Sequence, residues 1–279
     1  EKTASGRVHV GSLRGVVIHG VAAQTLIEKG FDTKFYYEIN DADPMDGMPI
    51  YLPREKFLQH MGKPLCEIPS PDPAVAPDFA RYHAPRYLAT FDQLGIRPEE
   101  IHFMRDLYRS GALDRQIDLV LRNAATIREV YARVANVIKD HRWLPMGVIC
   151  EACGRLGTTF AFDYDGTTVA YECRADLVDW ATGCGHSGRR SPFEGGAKLY
   201  WNLQWCAMWD HFGVTYEEGG KDLLTAGGSR DRANEVYRAV WQKEPPIGLI
   251  HEFMNIGGRK MSTSRPEEWK ALGAAAHEM

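Results

Sequence analysis

No run of this 279-residue chain reaches the roughly 20 apolar residues that a membrane span needs. The longest mostly apolar stretch, Gly15 to Ile27, is interrupted by His19 and Gln24. The opening Glu1-Lys2-Thr3-Ala4-Ser5-Gly6 also lacks the basic start and apolar core of a secretory signal. These absences predict a cytoplasmic protein with no membrane partner. An excess of positive charge is missing too: 33 Lys and Arg against 37 Asp and Glu leave a net charge of −4, so no global positive field marks a nucleic-acid binder. Repeats and low-complexity tracts are absent, and 44% hydrophobic with 25% charged residues exclude collagen-like, coiled-coil and disordered readings. Cysteine is sparse, six residues, yet Cys150, Cys153, Cys173 and Cys184 share one short window while Cys66 and Cys206 lie far off. That clustering favours a metal over disulfides.

The pattern of apolar residues predicts an α/β opening. Gly15 to Lys29 carries Val17, Val21, Leu26 and Ile27 near helical spacing, and Phe31 to Ile39 is aromatic and β-branched, as strands are. Four prolines between Pro69 and Pro77 make that stretch a loop. From Asp114 to Lys139 apolar residues recur in steps of three and four without Pro or Gly, which predicts one long amphipathic helix with an ordinary core-facing stripe. Between Pro145 and about Lys198 the texture becomes β-like. Thr158 to Asp163 and Thr167 to Glu172 are joined by Asp165-Gly166, a hairpin signal, and are flanked by the cysteines, so a small inserted subdomain is expected. A Trp-rich run from Tyr200 to Phe212, a Gly-rich loop from Gly219 to Ser229 and a helix from Asp231 to Trp241 follow.

Two segments carry chemistry. Ser5-Gly6-Arg7-Val8-His9-Val10-Gly11-Ser12 lies just ahead of the first helix, where free N–H groups and the helix dipole favour an anion. Gly11 lets a phosphate or purine approach the backbone, and His9 can donate to a phosphate oxygen, although an isolated His-x-Gly is often only a turn. Some 250 residues later, Gly257-Gly258-Arg259-Lys260-Met261-Ser262-Thr263-Ser264 is a Gly-containing loop with a Lys and small hydroxyl residues. A mobile loop bearing a cation can close over a triphosphate and neutralise the charge that develops as pyrophosphate leaves.

Together these segments resemble the HIGH and KMSKS signatures of class I aminoacyl-tRNA synthetases, and within them the class I type of lysyl-tRNA synthetase. Thr3 to Gly11, Tyr200-Trp201 through Trp205 and Trp209 to Val214, Gly220-Lys221-Asp222 with Ala226 to Ser229, and Glu252-Phe253 through Ser262 carry the resemblance, which runs from residue 1 to about 264. It implies a Rossmann-like α/β catalytic domain in two parts, 1–144 and 199–279, interrupted by a zinc-binding β insert at 145–198. The implied function is ATP-dependent activation of L-lysine, with Mg2+ accompanying ATP, and transfer of the lysyl group to the acceptor end of its tRNA. His9, Ser12 and Lys260 would be catalytic. His9, Gly11, Ser12, Asp222, Lys260, Met261, Ser262 and Ser264 would bind ATP, and Thr3, Asp41, Trp201 and Trp205 the amino acid.

The sequence departs from the family pattern in three places. The last His of HIGH is Ser12, the second Lys of KMSKS is Thr263, and the Gly-Lys-Asp-His of some members reads Gly220-Lys221-Asp222-Leu223. Lys260 is thereby the loop's sole ammonium, beside Arg259 and Arg265. By comparison with the family the strand ahead of the first signature and the C-terminal anticodon-binding domain are expected to be missing. A catalytically impaired synthetase-like chain that binds nucleotide or a partner, and another HxGH nucleotidyltransferase, are the alternatives. For the metal, Cys150-x2-Cys153 has knuckle spacing and four soft ligands around a hairpin suit tetrahedral zinc. Cys150, Cys153, Cys173 and Cys184 are the expected ligands, with His186 competing for the fourth place. Trp201, Trp205 and Trp209 read either as one buried helix face or as an apolar wall and cation–π partner for a lysine side chain. Asp41, Asp43 and Asp46 follow the strand ending at Ile39, where a substrate ammonium could find its anion or where a solvated acidic loop would lie.

Overall fold

The β-branched and aromatic residues that predict a strand before Asn40 do form one, though only from Tyr36: β2 (Tyr36–Asn40) pairs in parallel with β1 (Lys2–Thr3), Thr3 opposite Asn40. In this computed structural model residues 1–252, 255–256 and 259–260 are described. Two compact units divide the chain, 1–104 with 251–279, and 105–250. The strand expected to be missing ahead of the first signature is therefore present as β1.

In the first unit α1 (Leu13–Glu28) connects β1 to β2, and α2 (Arg54–Phe57) and α3 (Phe79–Gln93) lie between β2 and β3 (Glu100–Phe103). β3 pairs in parallel with the other side of β2, Ile39 opposite Phe103, giving the order β1-β2-β3. Parallel pairing through helical crossovers is the α/β arrangement that the opening pattern implied. α1 ends in a Schellman motif: Gly30, at φ +85°, donates to the Ile27 carbonyl and Phe31 to that of Leu26. The chain has just left that turn at Phe31, which is why the strand starts five residues later than expected. With its leading turn the helical run Val10–Glu28 has 19 residues at mean hydropathy 1.3, so by length and composition it does reach what a membrane span requires, against the sequence expectation. A core helix passes the same test, but only 11% of this run is buried. α3 opens with Asp78 accepting the Arg81 N–H at 2.8 Å, a side-chain N-cap, and the Pro69–Pro77 segment is irregular as expected.

The second unit corrects the longest helix. After α4 (Met104–Arg109), the Asp114–Lys139 pattern is split into α5 (Asp114–Arg122) and α6 (Ala124–Ala135). Asn123 sits between them at φ −102°, ψ 18°, its side chain donating to the Leu119 carbonyl at 2.8 Å. Asn side chains offer the backbone such local alternatives. The stripe survives the break because both helices bury it, through Ile117, Val120, Leu121, Ile127 and Val130. Asn136, in the left-handed region at φ 52°, ends α6 early and leaves Ile138 exposed.

In the inserted segment β4 (Met146–Val148) pairs antiparallel with a later strand, and β5 (Thr159–Tyr164), β6 (Val169–Cys173) and β7 (Ser187–Arg190) form an antiparallel sheet in that order. The hairpin at Asp165-Gly166 stands where its signal placed it. Asp165 Oδ1 accepts the N–H groups of Thr167 and Thr168, and hydrogen bonds from Thr168 and Thr167 hold this exposed carboxyl far below the ordinary carboxylate range. β7 has the sequence Ser-Gly-Arg-Arg and so offers no apolar alternation to read. β8 (Ala197–Leu199) closes the segment against β4, Met146 opposite Leu199. The return depends on Gly183, where an added Cβ would run into the Arg174 carbonyl. Gly183→Ala is therefore expected to destabilise the protein by roughly 2 kcal/mol or more in denaturant unfolding, and an unchanged midpoint would show that the turn can shift.

α7 (Trp201–Phe212) follows directly and ends at Gly213, φ 63°. β9 (Tyr216–Gly220) is paired with β10 (Ile247–His251). The helix expected over Asp231–Trp241 is instead α8 (Ser229–Val236), continued by a π-helical turn over Tyr237–Trp241. The N-cap of α8 is Gly228, and Asp231 Oδ2 takes the Gly227 N–H at 2.9 Å. Last, β11 (Asn255–Ile256) and β12 (Arg259–Lys260) form an antiparallel hairpin, Asn255 opposite Lys260.

Candidate active-site segments and metal centre

The first signature occupies the entry to α1. From β1 the chain passes Gly6 at φ +149°, runs extended through His9, and makes a tight 3-10 turn over Val10–Ser12 with the Ser12 N–H on the His9 carbonyl at 3.0 Å. His9, Gly11 and Ser12 are thus gathered at the N-terminus of a 16-residue helix, where backbone donors converge. Thr3 and Asp41 stand at the C-terminal ends of the neighbouring strands β1 and β2, the edge at which open α/β sheets hold ligands. Asp41 is fully buried. The Thr3 hydroxyl donates to Asp43 at 2.9 Å, so Thr3 and the acidic loop form one cluster. Burial pushes the Asp46 carboxyl up, and Asp43 adds to the effect.

In the second unit α7 stacks three indoles. The rings of Trp201 and Trp205 are 4.9 Å apart and those of Trp205 and Trp209 5.2 Å. Trp209 is core, 1% exposed, with its edge on Tyr237. Sequence reasoning missed what holds this stack. Glu217 Oε2 accepts both indole N–H groups, from Trp205 at 2.5 Å and Trp209 at 2.7 Å, and pairs with the Arg230 guanidinium at 3.1 Å. Arg230 in turn lies over the faces of Trp209 and Trp205, at 4.5 and 5.1 Å. A cation–π contact is indeed made on Trp205, by the chain's own arginine, while Trp201 stays partly exposed. No local signal could have found the pair, since Glu217 and Arg230 are brought together across the Gly-rich loop. Asp222 lies exposed in the turn after β9, where Leu223 donates to the Gly220 carbonyl. Lys260 is placed by its backbone in the last hairpin, and Met261, Ser262 and Ser264 fall outside the described residues.

The cysteines converge. Cys150 and Cys153 flank the turn after β4, Cys173 ends β6 and Cys184 precedes β7; their four Sγ atoms all lie within 4.8 Å of one another. The Cys150–Cys184 and Cys153–Cys173 separations are both 3.7 Å. Zn–S bonds of about 2.3 Å in a tetrahedron require S···S edges of about 3.8 Å, so the donor set fits zinc. A disulfide, with sulfurs about 2 Å apart, it does not fit. His186, the competitor for the fourth place, is not part of the converging group; its ring faces Tyr171 at 6.0 Å. Burial pushes the Cys150 thiol up to about 12. At Cys153 burial works the same way, but hydrogen bonds from Arg155 and the neighbouring thiols outweigh it and bring the group down to about 7. Thiols so unequal on their own are drawn together into thiolates by a divalent cation. Cys173 Sγ also accepts the Cys184 N–H at 3.3 Å and sits 3.2 Å from the Thr158 hydroxyl.

Residues 2–271 match the family described as tRNA synthetases class I (K). A lysine–tRNA ligase 1 of Methanosarcina acetivorans is 31% identical over 262 residues, 94% of this chain and 47% of that protein. The lysine–tRNA ligases of Archaeoglobus fulgidus and Methanocaldococcus jannaschii are each 31% identical, over 91% of this chain and 49% and 46% of theirs. The chain spans about half the length of the curated relatives it matches. With a family match over nearly its full length, on top of both signature segments and the cysteine cluster, the chain belongs to the class I (K) tRNA synthetase family.

Proposed function

We propose that this chain is the catalytic region of a lysine–tRNA ligase of the cytoplasm, built as a Rossmann-like domain with a structural zinc insert. It joins L-lysine to ATP, giving lysyl-adenylate and pyrophosphate, and passes the lysyl group to the terminal adenosine of its tRNA. The observation that carries the reading is the signature segment Ser5–Ser12 at the N-terminus of α1, beside the C-terminal ends of a parallel sheet, in a chain of this family. A lysine carboxylate oxygen attacks the α-phosphorus, the bond from that phosphorus to the bridging oxygen breaks, and pyrophosphate leaves with Mg2+. No covalent enzyme intermediate is needed, because the protein supplies position and charge. His9, Gly11 and Ser12 hold phosphate and adenine, and Asp222 the ribose or the substrate ammonium. Lys260 neutralises the charge that develops on the leaving pyrophosphate, and Met261, Ser262 and Ser264 join it in binding ATP. Thr3 and Asp41 in the first unit, and Trp201 with its stacked neighbour Trp205 in the second, are the residues this reading assigns to lysine binding. Cys150, Cys153, Cys173 and Cys184 hold a zinc ion whose coordination is closed and whose part is structural.

The test is amino-acid-dependent ATP–pyrophosphate exchange with lysine, glutamate and cysteine side by side, on protein of known zinc content. Exchange with lysine alone is expected, and exchange with glutamate or cysteine instead would overturn the specificity. Lys260→Ala is expected to lower that exchange about 10²- to 10³-fold with unchanged folding, the usual loss for one group that stabilises developing charge; normal exchange would remove Lys260 from the mechanism. Ser12 in place of the last His of HIGH and Thr263 in place of the second Lys of KMSKS favour a second reading, a synthetase-like chain that binds nucleotide without turning it over. ATP binding with no exchange from folded, zinc-loaded protein would establish it.

A further inference from the structure

The signature segment is gripped at both ends by tyrosines from elsewhere in the first unit. At its entrance the Tyr51 hydroxyl accepts the Arg7 N–H at 2.7 Å, and the Arg7 guanidinium lies 4.6 Å over the Tyr51 ring. Tyr51 approaches so closely that a Cβ on Gly6 would stand 2.6 Å from its oxygen. Gly6 is thus required both by its φ of +149° and by this neighbour. At the exit Tyr87, on α3 and 3% exposed, donates to the Ser12 carbonyl at 3.0 Å. Its oxygen is 3.3 Å from that of Tyr37 on β2. A phenol has one proton, and a carbonyl has none to give, so Tyr87 spends its proton on Ser12 and must accept from Tyr37. The direction of the chain is therefore fixed: Tyr37 to Tyr87 to the Ser12 carbonyl. Edge contacts of Phe91 with both rings, at 4.9 and 5.2 Å between centroids, keep the pair in place.

We propose that Tyr51 and Tyr87, with Tyr37 behind Tyr87, are positioning residues that hold the Arg7–Ser12 backbone in the shape that receives the nucleotide. The proposal rests on the synthetase reading for what is received, but the grip itself does not. The segment from the Gly6 bend to the end of the 3-10 turn, Gly6–Ser12, is seven residues long, and the two hydroxyls tie its ends to α3, with β2 behind it, and to the loop after β2. A segment that must meet a triphosphate gains from being set before the ligand arrives, and a displacement near 1 Å is enough to cost about a hundredfold in rate. Burial raises all three phenols, Tyr87 to about 12, so each keeps its proton across the neutral range and the grip does not loosen with pH.

Tyr51→Phe and Tyr87→Phe keep the rings and remove only the hydroxyls. In the zinc-loaded chain each is expected to lower kcat of lysine-dependent pyrophosphate exchange by about tenfold, and the double variant by about a hundredfold, with the KM for lysine unchanged. Amide hydrogen exchange supplies a readout that needs no activity: the Arg7 amide should exchange at least about tenfold faster in Tyr51→Phe, while amides of β3 stay as they were. A kcat within twofold of the parent in both variants, or an Arg7 amide protected as before, overturns the proposal. If the parent shows no exchange, the synthetase reading fails, and the amide measurement still decides the grip. A loss of kcat that comes with general loss of protection marks a folding defect and counts against positioning.

Discussion

Removal of zinc is expected to unfold the segment between Met146 and Leu199 and to cost the protein more stability than any single side-chain change away from the cluster. The reason lies in what the segment buries. Its sheet places Ala161, Val169 and Tyr171 inside, but the segment's last strand before its return, β7, alternates exposed with half-buried residues and carries no large apolar side chain. What brings the two loops and the end of β6 together is the meeting of Cys150, Cys153, Cys173 and Cys184. Structural zinc in small peptides contributes about 10–16 kcal/mol at neutral pH, and that free energy is folding free energy where the apo site has no other support. Even a loss of ~5 kcal/mol would lower the unfolding temperature by roughly 10–20 °C. The measurement is zinc content, expected at one ion per chain, followed by thermal unfolding and limited proteolysis before and after chelation. Cys173→Ser should reproduce the chelated state, and Cys66→Ser should not, since Cys66 lies in the first unit. A chelated protein with the parent's unfolding temperature and no new cleavage between residues 146 and 199 would mean that the four thiols are free cysteines with no structural ion.

The cysteine cluster was legible in the sequence because soft ligands at knuckle spacing are rare by chance. The sequence left the fourth place open between Cys184 and His186, two residues apart, and backbone geometry brings Cys184 to the other three thiols. Gly183 lets the turn approach Arg174, and the Cys184 N–H then points at Cys173 Sγ, which carries its own thiol into the group and turns His186 toward Tyr171. The parallel opening was legible for a similar reason: aromatic and β-branched residues mark β2, and helical spacing marks α1. The break at Asn123 was not, because α5 and α6 continue one apolar stripe and a pattern of spacings records the buried face rather than the hydrogen bonds. The grips of Tyr51 on Arg7 and of Tyr87 on Ser12 bridge 44 and 75 residues. Nothing in either neighbourhood announces them.

Arg230→Met is the other change with a large expected effect, about 3–5 kcal/mol of destabilisation in denaturant unfolding. Arg230 and Glu217 are nearly out of water, their side chains 5% and 22% exposed. Burial pulls the Arg230 guanidinium below its ordinary value and Glu217 opposes that, so the pair stands as two charges that need each other. Without the guanidinium, Glu217 keeps two indole donors but loses its counter-charge. The Pro246 carbonyl and Asn234 lose the donors that reach them at 2.7 and 3.0 Å. Glu217→Gln on top of Arg230→Met should recover part of the loss, because the cost lies in stranding a carboxylate more than in the worth of the pair. Arg230→Lys should recover less, since an ammonium cannot lie flat on Trp209 and reach Glu217, Asn234 and Pro246 together. Trp201 rests on Trp205, which rests on this ion pair. On the lysine-ligase reading proposed above, the same variants that destabilise the fold should raise the KM for lysine ahead of any change in the KM for ATP. An Arg230→Met protein within 1 kcal/mol of its parent, or one whose double variant is worse than the single, would show that the indoles alone hold the stack.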